Sequence, residues 1–445
     1  MCSRELFVSN KFAGFTKENC FSSIEELNAW ISKNQLCLGD KILFKRNEIF
    51  VGTLHLKNVK CQPENPLYIG AYGEGDTPPT LKAPPIENKV LSENNRAKVM
   101  EIITSAGKTP ETYGDGKFDR PLNSEIPSVI FVEQCENITI ENLNLYSEND
   151  GVTYYSHWTK CSAILRFNYT IGITLRNLHI SAEVTDRPKD YFADNADRLG
   201  WVGAYHLPYQ GNDYYGLLIE NSKDESSEGY DNVVIENLTA CKITGMVINA
   251  VGFTVRNIKV YDSPAWGFSF TGAHGIVTNC ETNHTGYGKN PNGNAAFMVV
   301  SSQDITFDGL KAIDCCRGPQ NWDGVAFDFE GGLNQKNISL KNAVFDGIDG
   351  SAIMLFNNSD CNKDCLIENV YIKNYNRSGT TEGAINMCAP IENYPNSFII
   401  RNVVIEKNEN LPYYTGYYDE TQPLLEYPNV VFENCNFYSK DKKGE

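Results

Sequence analysis

The chain reads as an all-β solenoid, a stack of short parallel strands wound into coils. Three observations predict this. A strand motif with a central Asn or Gly recurs along the sequence, a second short strand precedes most copies, and no helix-length periodic segment falls between them.

The motif is apolar, any, apolar, any, Asn or Gly, apolar, any, apolar. Clear copies are "ITIENLNL", "ITLRNLHI", "VVIENLTA", "FTVRNIKV", "ITFDGLKA", "ISLKNAVF", "FIIRNVVI" and "VVFENCNF". The central residue falls at 142, 177, 237, 257, 279, 309, 342, 369, 402 and 434, mostly 20 to 35 residues apart. The second run opens on a small residue, as in "GMVIN", "GFSFT", "AFMVV", "GVAFDF", "AIMLF" and "AINMC". Strands recur too irregularly for a sandwich and too densely for a propeller blade, so stacked coils remain. Asn at the bend tolerates left-handed backbone angles and can hydrogen-bond to its neighbours in the stack. Sequons such as Asn137, Asn237 and Asn337 then read as by-products of the repeat.

A solenoid must cover its open end. "SSIEELNAWI" predicts a capping helix: Ser23 and Glu26 have capping-box spacing, and Ile24, Leu27 and Ile31 share a face. The expected layout is one domain over 1–445, with an N-terminal cap over 1–40, coils over 41–437, a long loop at about 183–215 and a tail at 438–445. That loop carries Trp201 and reads as a groove wall, an extra coil or an oligomer contact.

The net charge of −17 argues against nucleic acid, and no apolar run is long enough for a membrane span. The N-terminus lacks a secretory segment. The expectation is therefore a cytoplasmic protein, or a secreted one if a signal has been removed. Of the 14 cysteines, Cys280 and Cys435 occupy positions where other copies have core aliphatics. Cys315–Cys316 and Cys361/Cys365 lack the partners of a zinc site, so no metal is expected there and the thiols read as reduced.

These features, with "GDKILFKRNEIFVGTL" and "NPLYIGAYGEG", resemble the right-handed parallel β-helix proteins of the pectin-lyase-like superfamily over nearly the whole chain. The resemblance implies the fold and leaves activity open among hydrolases, lyases, epimerases and tailspikes.

The chemistry centres on "WDGVAFDFEGG". Alternation predicts Val325, Phe327 and Phe329 inward, and Ala326, Asp328 and Glu330 outward, with Asp323 just upstream. The expected neighbours on that face are Ser269 and Thr271 before, and Met354 and Phe356 after. Clustered carboxylates suit glycoside hydrolysis, because mutual repulsion keeps one acid protonated while another stays ionised. Solvated or ion-paired surface acids and a Ca²⁺ site are the other readings.

Locally, "NWDG" resembles the Asn-x-Asp-Gly of polygalacturonase-type hydrolases, and "IDGSAIML" resembles their later Asp pair, with Asp349 kept and Gly350 in place of the second Asp. Their Gly-His-Gly and Arg-x-Lys elements have no match; "EGAINM" stands about where the histidine motif belongs. The resemblance implies an inverting-type carboxylate site without polygalacturonate as substrate. The acid/base pool is thus Asp323, Asp328, Glu330 and Asp349. Trp322, Trp266 and Trp201 are candidate sugar platforms, their alternative being rings inside the coils. His274 is an auxiliary or a turn residue.

The expected activity is a glycoside hydrolase on an oligo- or polysaccharide, with no cofactor. A lyase is the first rival. It would use Lys289, Arg317 or Arg166 against a uronate, with Ca²⁺ as its possible cofactor. The second is a non-catalytic glycan-binding fibre.

Overall fold

The computed structural model describes residues 3–12, 18–84, 128–148, 162–182, 214–221, 230–287, 294–317, 323–332, 334–356, 362–379, 382–388, 397–406, 416–417 and 429–436. The predicted loop, the stretch 85–127 and the tail from 437 lie outside these residues.

The strands pair in parallel and stack on three faces, each strand in register with its counterpart one coil away. The architecture is a right-handed parallel β-helix. One face runs from Glu5–Val8 through Glu136–Glu141, Val233–Cys241 and Lys336–Lys341 to Val430–Glu433. The second holds, among others, Asn144–Ser147, Glu281–Thr285, Lys311–Cys315 and Val344–Ile348. The third runs from Leu54–Lys57 through Ser162–Asn168 and Tyr214–Glu220 to Val325–Gly331, Ile353–Phe356 and Ile385–Cys388. Alternating apolar residues turn inward and form continuous rows. On the first face Ile140, Leu175, Ile235, Val255, Val277, Phe307, Leu340, Ile367 and Ile400 are in register and fully buried.

Every predicted bend residue adopts a left-handed conformation, from Asn142 at φ 58° to Asn434 at φ 51°. The amides bond along the stack. Asn177 donates to Asn142, Asn237 to Asn177 and Asn257 to Asn237, at 3.1–3.3 Å. A second run links Asp308, Asn342, Asn369 and Asn402. Gly309 interrupts the series, and a Cβ there would come to 2.7 Å from Asn279 Oδ1.

The N-terminal helix spans Ile24–Ile31. Ser23 Oγ accepts from the Glu26 N–H, and Glu26 accepts from the Ser22 N–H, one residue earlier than a capping box would have it. Ile24 and Leu27 join the main core, and Ile31 packs partly against it. Asn28 donates to the Thr53 carbonyl and accepts from the His55 N–H, so the helix lies against the edge of Leu54–Lys57. Cys280 is buried in the core and Cys435 packs against it; among the described residues the cysteines are free thiols. No helix among them is long and apolar enough to cross a membrane.

Asn237, bonded on both sides, tests the bend. Asn237→Ala forces a left-handed alanine and removes both amide bonds, and should lose ~1–2 kcal/mol. Asn237→Gly should lose less, because glycine accepts the backbone angle. Urea midpoints at constant m-value measure the difference.

Candidate active site

The strand Val325–Gly331 lies on the third face between Ala295–Asp308 and Ile353–Phe356. Phe327 and Phe329 anchor it from inside: Phe327 meets Phe307 edge-on at 5.0 Å, and Phe329 meets Phe398 at 5.4 Å. Alternation therefore turns Asp328 outward, as predicted. Met354 follows it as predicted, but the neighbour on the preceding coil is not the predicted Ser269. The coil Ala295–Asp308 intervenes, so Met298 and Met354 flank Asp328 in register, and Ser269 lies one coil further away. The outward carboxyl thus sits between two thioethers rather than in water. Asp328 is 5% exposed, and its Oδ1 has no hydrogen-bond partner. The start of the strand also departs from simple alternation. Ala326 belongs to the core, while Val325 packs with Ala295, Met298 and Met354 on the outer side.

Glu330 is placed by a β-bulge. Phe329 pairs with Val299 and Gly331 with Val300, which leaves Glu330 as the extra residue. Asp323 approaches from the turn before the strand. The three acids line one cleft of about 220 Å³. Met298, Val300 and Ala295 form its apolar wall, with Asn294 and Trp266 beyond. The Trp266 ring stacks on Tyr215 at 6.3 Å and 15°, so this tryptophan is at the cleft and not inside the coils.

Burial is the largest cause of the raised proton affinity of all three acids, and repulsion adds to it at Asp323 and Asp328. Asp323 is pushed up to about 7, first by burial, then by Glu330 and Glu382, with Arg317 opposing. Asp328 is held well above the carboxylate range by burial and by Glu330 and Asp323. Glu330 is also raised by burial, but its contact with Asp328 pulls it back. The two stand within hydrogen-bonding reach and titrate as a pair, with Asp328 the more strongly raised of the two. The reading of these acids as solvated surface does not hold.

Asp349 stands apart from this group. Its Oδ2 accepts from the Arg317 backbone N–H and its Oδ1 from Arg377 Nε, both at 2.8 Å. A fourth buried acid was missed by sequence reasoning. Glu382 is 3% exposed and pairs with Arg317 at 2.6 Å. It opens the "EGAINM" stretch, so the departure from the hydrolase pattern at that place was its signal. Gly350 explains the missing second Asp: a Cβ there would run into the Asp323 carbonyl oxygen and come to 3.0 Å from Glu382 Oε2.

The remaining predicted residues are dispersed. His274 sits two coils before the acids, not one. It occupies a left-handed bend at φ 55°, with Nδ1 3.3 Å from Asp304. Arg166 pairs with Glu220 at 3.1 Å and lies over the Phe131 ring. Trp322, Trp201 and Lys289 lie outside the described residues. Among the described residues, His284, Asp314 and Cys316 bring metal-ligating atoms within 4.8 Å of one another. Arg377 already pairs with Asp314 at 2.8 Å, and Asp262 with His284 at 2.9 Å, so a guanidinium supplies the positive charge there.

The fold has solved counterparts. The GH136 lacto-N-biosidase of Eubacterium ramulus superposes with a TM-score of 0.55 at 14% identity, over 98% of this chain and 68% of that one. The catalytic unit of a GH87 α-1,3-glucanase from Streptomyces thermodiastaticus gives 0.46 at 11%, over 94% and 65%. An alginate lyase from Paenibacillus gives 0.42 at 9%, over 97% and 99%. At these identities the likeness is one of fold. No protein-family model matches the chain, and no curated protein matches it in sequence.

The raised Asp323 makes a stability prediction with a definite sign. Its folded value, about 7, lies above the unfolded value of 3.8, so the native state binds more protons between them. Stability attributable to this group therefore falls as pH rises through that window. Asp323→Asn should be more stable than the parent at pH 8, by ~1–3 kcal/mol, with the gap closing below pH ~4. Parallel urea titrations at the two pH values check it.

Proposed function

We propose that the protein is a glycoside hydrolase acting on a carbohydrate bound along the third face. The observation that carries this is the pairing of environments in one cleft: an Asp323 pushed up to about 7 by burial and like charges, beside a Glu330 whose rise is countered by its contact with Asp328. Glycosidic cleavage needs one carboxylic acid to protonate the leaving oxygen and one carboxylate to act at the anomeric carbon or on water. Asp323 takes the first role and Glu330 the second. Asp328 orients Glu330 through the hydrogen bond between them. Trp266 offers a flat ring to a pyranose face, and Met298 and Val300 give the cleft an apolar wall. The fold shared with a lacto-N-biosidase supports carbohydrate as the substrate class. The reaction written this way requires no cofactor.

β-Elimination from a uronate is less well served. It needs a base and a cation beside the substrate carboxylate, whereas the described residues of the cleft wall present three acids and no cation. Arg317 and Arg166, offered for that role by the sequence, are committed to Glu382 and Glu220.

Incubation with a panel of neutral and uronate-containing glycans tests the reading. New reducing ends without the ultraviolet absorbance of an unsaturated sugar are expected; both signals together would replace the hydrolase with a lyase. Asp323→Asn and Glu330→Gln should each lower kcat by roughly 10²–10⁴. Asp328→Asn, which can still donate to Glu330, should lose much less. The rate of the parent enzyme should decline above pH ~7 as Asp323 gives up its proton.

A further inference from the structure

Asp323 does not project from a strand but from the turn before one, so something else must hold it. Its carbonyl oxygen accepts from Arg317 Nε at 3.3 Å and Nη2 at 3.0 Å. The same Nη2 donates to Glu382 Oε1 at 2.6 Å. Arg317 is held at its other end too, because its backbone N–H donates to Asp349 Oδ2, and Asp349 is gripped by Arg377. Glu382 is fixed independently: Asn376 Nδ2 donates to its backbone carbonyl at 3.0 Å. Its second oxygen, Oε2, is buried without a hydrogen-bond partner. That oxygen occupies the space into which a side chain at Gly350 would extend.

A buried acid is an expensive way to pin a loop, since burial raises its own proton affinity and Arg317 and Ser351 only partly offset that rise. We propose that Arg317 and Glu382 are positioning residues for Asp323: Arg317 fixes the backbone from which the acid projects, and the buried charge of Glu382 favours its protonated form. Glu382 thereby brings, from the coil two turns on, the negative charge that Gly350 has no room to carry. The charges acting on Asp323 are Glu330 from the following strand, Glu382 and Arg317, with Asp328 also on that strand and itself raised by Asp323. Glu330 and Glu382 raise its proton affinity and Arg317 lowers it. The assignment rests on Asp323 being the acid of the proposed hydrolase, but its test does not.

The test is the titration of Asp323 in the full chain by ¹³C NMR of carboxyl-labelled aspartate, the resonance being assigned by its loss in Asp323→Asn. Glu382→Gln should shift the midpoint down by on the order of one pH unit, because a like charge is removed and Arg317 is left unbalanced. Arg317→Gln/Glu382→Gln should shift it down by less, because the opposing positive charge goes as well. The double variant leaves no unpaired buried charge and keeps the question answerable if the single variant does not fold. A folded Glu382→Gln with an unmoved midpoint overturns the proposal, and so does a double variant titrating at or above the parent. A parent that cleaves no glycan but shows the ordered shifts would lose the hydrolase reading and retain this one. Cleavage with unmoved midpoints would do the reverse.

Discussion

The structure depends on coils that stack in register, and the register depends on a left-handed bend repeated once per coil. An L-residue enters that conformation at a cost of about 1–2 kcal/mol unless it is Gly or is compensated locally. Asn meets the requirement twice, by tolerating the backbone angle and by bonding its amide to the Asn above or below. Because the bends at Asn177, Asn237 and Asn257 are tied to one another, the strands on either side cannot slip. A slip of one residue would send the whole inward row outward. The Asn ladder and the apolar rows thus enforce the same alignment from opposite sides of the wall.

That alignment creates the acid site. Phe327 and Phe329 are held by inward packing, so the residue between them must face out, and the coils on either side present Met298 and Met354 to it. A single coil would leave Asp328 in water. Stacking encloses it on both sides and turns an ordinary carboxyl into one that keeps its proton. The bulge at Glu330 then brings a second carboxyl to the same cleft without disturbing the phenylalanines. Stability and chemistry pull against each other here, because the packing that orders the coil is what makes ionisation of its acids unfavourable.

Two cations manage the resulting field, and neither lines the cleft. Arg317 sits between Asp323 and Glu382, while Arg377 gathers Asp314 and Asp349 on the outer side. Asp349 looks equivalent to Asp323 in the sequence, yet the two acids have opposite surroundings: one is bound by guanidinium and backbone N–H groups, the other faces like charges. Their chemistry diverges accordingly.

The sequence by itself determined the fold, since alternation and a bend residue at a fixed place in each repeat are local properties that stacking only repeats. It also determined that Asp323, Asp328 and Glu330 lie close together, because eight consecutive strand and turn residues cannot separate far. It could not determine which coil lies next to which. The run "AFMVV" is legible as a strand, yet drawing the neighbours of Asp328 from the coil before it overlooks Met298. Only the tertiary structure separated Asp349 from the cluster and brought in Glu382, which is 59 residues from Asp323 in the chain and charge-coupled to it across the stack. Burial, pairing and repulsion are sums over all neighbouring coils, and those sums exist only once the coils have stacked.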